Sequence, residues 1–208
     1  MRTIHHQTIL LTFFFLTPLL LVGCYTKKEK EEGSTSETVS PPPSQADITD
    51  RFLEAALHGD LQTVRTMVND GMEADSRGAD GRTALMLAAY NGNTGIVKFL
   101  LEKGASVNIT DDLGRPALIY AASGPFPETV KVLLDHKADP DIIAKGDGWT
   151  ALMFAAAEGQ TEVVKILLQY GADATIKEKD GDTAESFARQ NGHTALAEYL
   201  HRYLQEGK

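Results

Sequence analysis

The sequence contains one cysteine, Cys24, one tryptophan, Trp149, and only 7% aromatic residues among its 208. A single cysteine excludes an intramolecular disulfide and any zinc site that needs several thiolates. The histidines between residues 58 and 201 are scattered without metal-ligand spacing, namely His58, His136, His193 and His201. Glycines recur at turns and form no phosphate-binding loop. We therefore expect no metal, no cofactor, no small-molecule substrate and no enzymatic activity, although an active site of dispersed carboxylates stays open.

Positive charge is also scarce. Lysine and arginine total 20 against 29 acidic residues, which gives a formal net charge of −9. Loss of an amino-terminal segment containing Arg2 would make this −10. Nucleic-acid binding depends on clustered lysine and arginine, so an acidic chain argues against it. The charge favours either basic partners or simple solubility.

Long hydrophobic runs are missing. The longest nearly apolar stretch, Ile9 to Val22, has 14 residues, whereas a membrane-spanning helix needs about 20. It follows a short start that carries Arg2 and ends in small residues. We interpret residues 1–23 as a secretory signal peptide and exclude them from the folded domain.

The end of this segment reads Leu21-Val22-Gly23-Cys24. It resembles the lipobox of bacterial lipoproteins, and the resemblance implies that Cys24 carries acyl chains such as palmitate and becomes the first mature residue. Several acyl chains would make membrane attachment stable, since each buried CH₂ contributes about 0.8 kcal/mol. Tyr25 stands where an aspartate favours inner-membrane retention in such lipoproteins, which favours the outer membrane. An ordinary signal peptide with a chance cysteine, or an uncleaved anchor, is the alternative.

Residues 24–46 are predicted to be the lipidated cysteine and a disordered tether. The segment has a Lys/Glu cluster, Ser/Thr-rich sequence and the triplet Pro41-Pro42-Pro43, with almost no large apolar side chains. Such a composition cannot bury enough surface to offset chain entropy. Its lysines are either solvated or in contact with anionic headgroups.

A sequence repeat dominates the remainder. The string Gly81-Arg82-Thr83-Ala84-Leu85 returns in altered form at Gly114, Gly148 and Gly181, at steps of 33, 34 and 33 residues. Three copies continue into a pair of alanines, and the last copy has Ala188-Arg189 there. A run of aliphatic residues follows and, in two copies, a Gly-Ala pair. Apolar residues within the copies have helical spacing. Each helix is predicted to have about ten residues, too few to be stable alone, so stacking of neighbouring units must supply the stability.

This period and these landmarks resemble the ankyrin repeat. The resemblance implies an all-α repeat solenoid of helix–turn–helix units with hairpin-like loops, over residues 47–208. We predict five units, at about 47–77, 78–110, 111–144, 145–177 and 178–208. The first and fifth are degenerate and polar, as terminal caps require.

The third unit departs from the pattern. Pro116 replaces the threonine and Lys137 replaces the glycine that ends the second helix elsewhere. Pro127 suits the first turn of its outer helix. One extra residue follows, and we place it at the next hairpin tip, within Ile142 to Lys145. This unit is predicted to be the least stable interface or a locally specialised one.

The resemblance also implies protein binding through the concave side, by hairpin tips and exposed ends of the inner helices. At these positions the sequence has Arg82, Tyr90, Asn91, Arg115, Ser123, Trp149, Glu158 and Asp182. Arginine, tyrosine and tryptophan are enriched at interface hot spots. Trp149 is the strongest candidate, with packing over the neighbouring hairpin as its alternative. Phe126, in the irregular loop of the third unit, is a weaker candidate, with packing between the outer helices as its alternative.

These inferences predict a monomeric, membrane-anchored lipoprotein that acts as a protein-binding module or scaffold in the bacterial cell envelope, in the outer membrane. An accessory, chaperone-like role is compatible with the resemblance. The main alternative is a surface-exposed or secreted protein directed at a host. An enzyme is the less favoured one.

Overall fold

The computed structural model of the chain describes residues 43–207, all within one compact unit. The predicted signal peptide, the predicted lipidation site Cys24 and most of the predicted tether lie outside the described residues. The ten helices of the described part are α1 (Gln45–Leu57), α2 (Leu61–Asn69), α3 (Ala84–Tyr90), α4 (Thr94–Glu102), α5 (Ala117–Ala122), α6 (Pro127–Asp135), α7 (Ala151–Ala157), α8 (Thr161–Gln169), α9 (Ala184–Gln190) and α10 (Thr194–Glu206). None of these helices has the length and apolar character needed to cross a bilayer.

The helices form two stacked rows. The inner helices α1, α3, α5, α7 and α9 pack on one another in chain order, and the outer helices α2, α4, α6, α8 and α10 form the second row. Hairpin turns join each outer helix to the next inner one, with isolated antiparallel bridges at Arg77–Thr83 and Thr110–Pro116 but no longer strand in the described part. The predicted all-α repeat solenoid is confirmed.

Small residues let the inner helices approach closely. The paired alanines of α3, α5 and α7 are almost completely buried, namely Ala88, Ala89, Ala121, Ala122, Ala155 and Ala156. The leucines one turn before them, Leu85, Leu118 and Leu152, are 1% exposed. Since these inner helices have only six or seven residues, they depend on burial between neighbours.

Residues before the inner helices are extended, which sets the helix starts. Thr150 and Thr183 accept backbone N–H bonds from the third residue of α7 and α9. Pro116 is extended too, with φ −80° and ψ 172°, but offers no such bond. The proline therefore preserves the turn geometry while removing one cap.

The outer helix of the third repeat begins with Pro127 at its first position, as predicted, and Glu128 lies in its first turn. After it, Lys137 has φ +70°, the one positive φ among non-glycine residues of the described part. A side chain in this region is strained by about 1 kcal/mol. The third repeat thus retains the fold with weaker local determinants.

The folded part begins slightly earlier than predicted. We placed the end of the tether at residue 46, but α1 already includes Gln45 and Ala46. The cause is a capping box in which the Ser44 side chain accepts the Asp47 N–H and the Asp47 carboxylate accepts the Ser44 N–H.

The extra residue lies in a hairpin tip, as predicted, but in a range that overlaps the predicted 142–145 only at Lys145. In the hairpin of the fourth repeat Ala144 N–H bonds to the carbonyl oxygen of Trp149, five residues on, whereas the pairs Gly78–Arg82, Asp111–Arg115 and Glu178–Asp182 span four. The insertion is therefore within residues 145–148. The bonded pair fixes the hairpin base, so the added residue must enlarge the tip.

The last repeat presents charge where a further repeat would otherwise pack. Glu185 stands at the position of the buried leucines, accepts hydrogen bonds from Arg189 and contacts His201 at 3.4 Å. Partial burial acts in the opposite direction, but these hydrogen bonds lower the pKa of Glu185. The predicted polar cap therefore has a specific ion-pair structure.

Candidate interaction surface

We define the inner face as the turn residues before each inner helix together with the residues at the ends of these helices. The eight predicted binding residues all belong to it. Asn91 and Glu158 are exposed, and the other six are partly buried, namely Arg82, Tyr90, Arg115, Ser123, Trp149 and Asp182. Their partners within the protein differ, and these partners indicate how available each is for binding.

Both arginines are already paired with carboxylates. Arg82 forms an ion pair with Asp80 in the same hairpin, and this hydrogen bond raises the pKa of Arg82. Arg115 bonds through Nε and Nη2 to Oδ2 of Asp111, at 3.1 and 3.0 Å. Each guanidinium is therefore held in place and partly neutralised.

Asp111 belongs to a buried network that the sequence analysis missed. Its side chain is 2% exposed, and it accepts a 2.7 Å hydrogen bond from the Tyr120 hydroxyl as well as the bonds from Arg115. The Arg115 guanidinium also lies 5.1 Å from the centroid of the Tyr120 ring. Burial, followed by the hydrogen bond to Asp111, raises the pKa of Tyr120, so its hydroxyl remains a donor.

Tyrosines extend this network to the second repeat. The rings of Tyr90 and Tyr120 are edge to face, with centroids 6.3 Å apart. Such pairs contribute about 1 kcal/mol beyond area burial. The only sequence feature that could have indicated this network is the hydroxyl of Tyr120, because the aligned residues of the neighbouring repeats, Leu87 and Phe154, are apolar.

Trp149 packs between two repeats. Its ring centroid is 4.8 Å from that of Phe154 and 4.2 Å from that of Phe187. The ring is only half-buried, so packing and binding are compatible roles. The structure shows the packing contact, and the binding role of Trp149 stays a prediction.

The polar residues at the helix ends fall into two groups. Asn91 donates to the Leu57 carbonyl of the preceding repeat, and Ser123 donates to the Tyr120 carbonyl. Asp182 accepts one bond, from the Gln190 amide at 3.1 Å. Glu158 makes no side-chain hydrogen bond or ion pair that the described residues show, so Glu158 and Asp182 retain the most bonding capacity.

Side chains between the helices of a pair cap the preceding repeat. Asn93 donates to the carbonyls of Ala56 and Leu57, and His193 bonds through Nε2 to the Ala157 carbonyl at 3.1 Å. His193 is therefore structural, as predicted. These contacts join residues 36 or 37 positions apart, and the sequence analysis did not identify the one made by Asn93.

Phe126 occupies the same position in the third repeat and cannot donate a hydrogen bond. Its half-buried ring lies against Gly92, where an added Cβ would be 2.2 Å from the ring. Phe126 therefore packs between repeats, which is the alternative that the sequence analysis left open. Its ring replaces a hydrogen-bonded cap by an apolar contact.

The described residues contain no group of three acidic, histidine or cysteine side chains able to hold a metal ion. An open pocket lies away from the inner face, between residues 171–175 and the end of α10, next to Tyr203 and Leu204. Its one carboxylate, Asp173, already accepts bonds from Thr175. The inner face thus offers a wide surface with paired charges and aromatic rings, a geometry suited to another macromolecule.

Stacked helix pairs joined by hairpin turns define a helical repeat protein of the interaction-module class. The model of the family described as ankyrin repeats (3 copies) matches residues 52–144 and 118–206. The chain belongs to the ankyrin repeat family, whose members generally mediate binding to other proteins. No curated protein matches the chain significantly.

Proposed function

We propose that the protein is a lipid-anchored, protein-binding scaffold of the bacterial cell envelope, attached through Cys24 to the outer membrane. The lipobox-like Leu21-Val22-Gly23-Cys24 supports the anchor, and membership of the ankyrin repeat family supports the binding role. A tether between residues 24 and 44 separates the lipid from the repeats.

One observation carries the binding role: the inner face holds its large side chains in fixed positions before any partner arrives. The carboxylates of Asp80 and Asp111 orient Arg82 and Arg115, and ring contacts orient Tyr90 and Trp149. Side chains that are already ordered lose little entropy on association. A preorganised surface of arginine and aromatic residues is therefore suited to a protein partner.

The binding role predicts that substitutions on the inner face, but not on the outer helices, abolish capture of a partner protein. Full-length protein with a carboxyl-terminal tag, solubilised in mild detergent, should capture a partner from envelope extract. The double variant Arg82→Glu/Glu158→Lys should lose that partner, because it reverses charge at two inner-face positions. The measurement is recovery of the captured protein by quantitative mass spectrometry.

A matched control reverses the same charges on the outer helices, with Lys98→Glu/Glu162→Lys. Both of these residues are exposed, and each makes one surface ion pair, worth less than about 1 kcal/mol. Equal loss in both variants would contradict an inner-face interface. Capture from host extract alone would instead support the host-directed alternative.

The anchor predicts a second result. Cys24→Ser should abolish labelling by a radioactive fatty acid and move the protein from the membrane to the soluble fraction, because serine cannot carry a thioether-linked lipid. Ser34→Ala, in the same tether, should leave both unchanged. Membrane retention of Cys24→Ser without label would indicate an uncleaved anchor.

A further inference from the structure

We propose that the inner face of the fourth and fifth repeats binds a partner segment carrying lysine or arginine next to apolar side chains. The inference rests on the proposed protein-binding function and specifies the chemistry of the partner. We define the aromatic–acidic surface as three inner-face residues, Trp149, Glu158 and Asp182, together with the rings of Phe154 and Phe187 that pack against Trp149.

The apolar part of this surface is a cluster of three rings. Trp149 contacts Phe154 and Phe187, with interplanar angles of 60° and 45°, and both Trp149 and Phe154 remain partly exposed. Each ring comes from a different helix or turn, and the contacts across repeats fix their positions. The cluster can therefore receive apolar or cationic groups without rearrangement.

Two carboxylates border the rings. Glu158 follows Phe154 by one helical turn at the end of α7. Gln190 lies three residues after Phe187 on α9, so the two share one side of the helix. The Asp182 carboxylate accepts a hydrogen bond from Gln190 and is therefore near that side. Both carboxylates therefore belong to the helix faces that carry Phe154 and Phe187.

The charge of these carboxylates is uncompensated. The seven ion pairs of the described residues use Asp80, Glu128, Asp111, Asp135, Glu162 and Glu185 as acids. Two lysines of nearby hairpin tips, Lys145 and Lys179, lie against Gly114 and Gly148 and are beyond salt-bridge distance from Glu158 and Asp182. The free charge of the surface is therefore negative.

The second and third repeats provide the contrast. Their arginines, Arg82 and Arg115, are each paired with a carboxylate of the same hairpin. The charge of each arginine is therefore compensated within its hairpin, whereas Glu158 and Asp182 have no cationic partner among the described residues. The acidic charge of the whole chain, −9, acts in the same direction.

Aromatic rings and carboxylates together select cationic side chains. A lysine or arginine placed over a tryptophan face gains a cation–π contact, and a nearby carboxylate completes the pairing. The aliphatic stems of these residues bury apolar surface along the rings. An anionic or purely polar segment gains none of these contacts.

Trp149 supplies a direct test because it is the only tryptophan of the chain. The probe is a peptide of three Leu-Lys-Pro units, titrated into the full-length protein in mild detergent while tryptophan emission is followed. We expect a saturable change in emission that weakens as salt is raised. The same peptide with acetylated lysines should bind at least fivefold more weakly.

Charge-neutral variants locate the effect. Asp182→Asn and Glu158→Gln should each raise the Kd on the order of two- to fivefold, the range of an exposed ion pair. Asp182→Asn retains an acceptor for Gln190. The matched controls Asp70→Asn, at the end of α2, and Glu162→Gln, on α8, should leave the Kd unchanged.

Three results would overturn the proposal. They are equal binding of the acetylated peptide, the same Kd change in the controls as in Asp182→Asn and Glu158→Gln, or no saturable change in emission. Capture of an envelope partner on the inner face, together with any of these results, would show that the proposed function holds and the partner chemistry is wrong. Failure of the unsubstituted protein to capture any partner would contradict the proposed function itself.

Discussion

Asp111→Ala is expected to destabilise the domain by about 3 kcal/mol, the lower end of the cost of breaking a buried ion pair. The substitution removes the acceptor for the Tyr120 hydroxyl and for three bonds from Arg115, one from its backbone N–H and two from its guanidinium. The tyrosine hydroxyl loses its partner in a buried site, and the arginine loses its counter-charge. Urea unfolding followed by circular dichroism would measure the change.

The adjacent residue offers the control. Asp112 is exposed and makes no ion pair among the described residues, so Asp112→Ala should change stability by less than about 0.5 kcal/mol. Asp111→Asn retains an acceptor and should be intermediate. A cost for Asp111→Ala no greater than for Asp112→Ala would contradict the importance of the buried network.

Gly92→Ala is the other substitution expected to have a large effect, about 3 kcal/mol. Gly92 has φ +65°, where any side chain is strained by about 1 kcal/mol. In addition, an added methyl group would lie 2.2 Å from the Phe126 ring, and displacing a packed ring costs about 2 kcal/mol more. The measurement is again the free energy of unfolding in urea.

Gly104 separates the two contributions. It has φ +88°, and nothing lies within 4 Å of an added Cβ, so Gly104→Ala should cost only the backbone strain, about 1 kcal/mol. In a Phe126→Ala background, Gly92→Ala should fall to the same value. If Gly92→Ala costs as little as Gly104→Ala in the natural background, the Phe126 contact does not hold.

Much of the fold was predictable because its information is local and repeated. The 33-residue period, the paired alanines and the glycines at turns each recur, so every copy supports the interpretation of the others. The polar cap residue Glu185 was recognisable because its aligned positions are leucines. The helix start at Gln45 was harder to predict from the sequence, because a single capping box determines it.

The candidate surface was only partly predictable. The repeat register correctly placed Arg82, Arg115, Trp149 and Asp182 at successive turns, but it could not show what each side chain contacts. Asp111 and Tyr120 looked like ordinary turn and helix residues, although they form the buried centre of the surface. Phe126, expected in an exposed loop, packs against Gly92 of another repeat.

The sequence by itself determined the class of fold, the number of repeats and the polar character of both ends, because a solenoid is specified by a pattern within each unit and by contact with the next unit. Only the tertiary structure decided which side chains are engaged in packing and which remain available for binding. Residues about 33 positions apart become neighbours there, as Trp149 and Phe187 do, and the direction of a side chain across that contact depends on both units together.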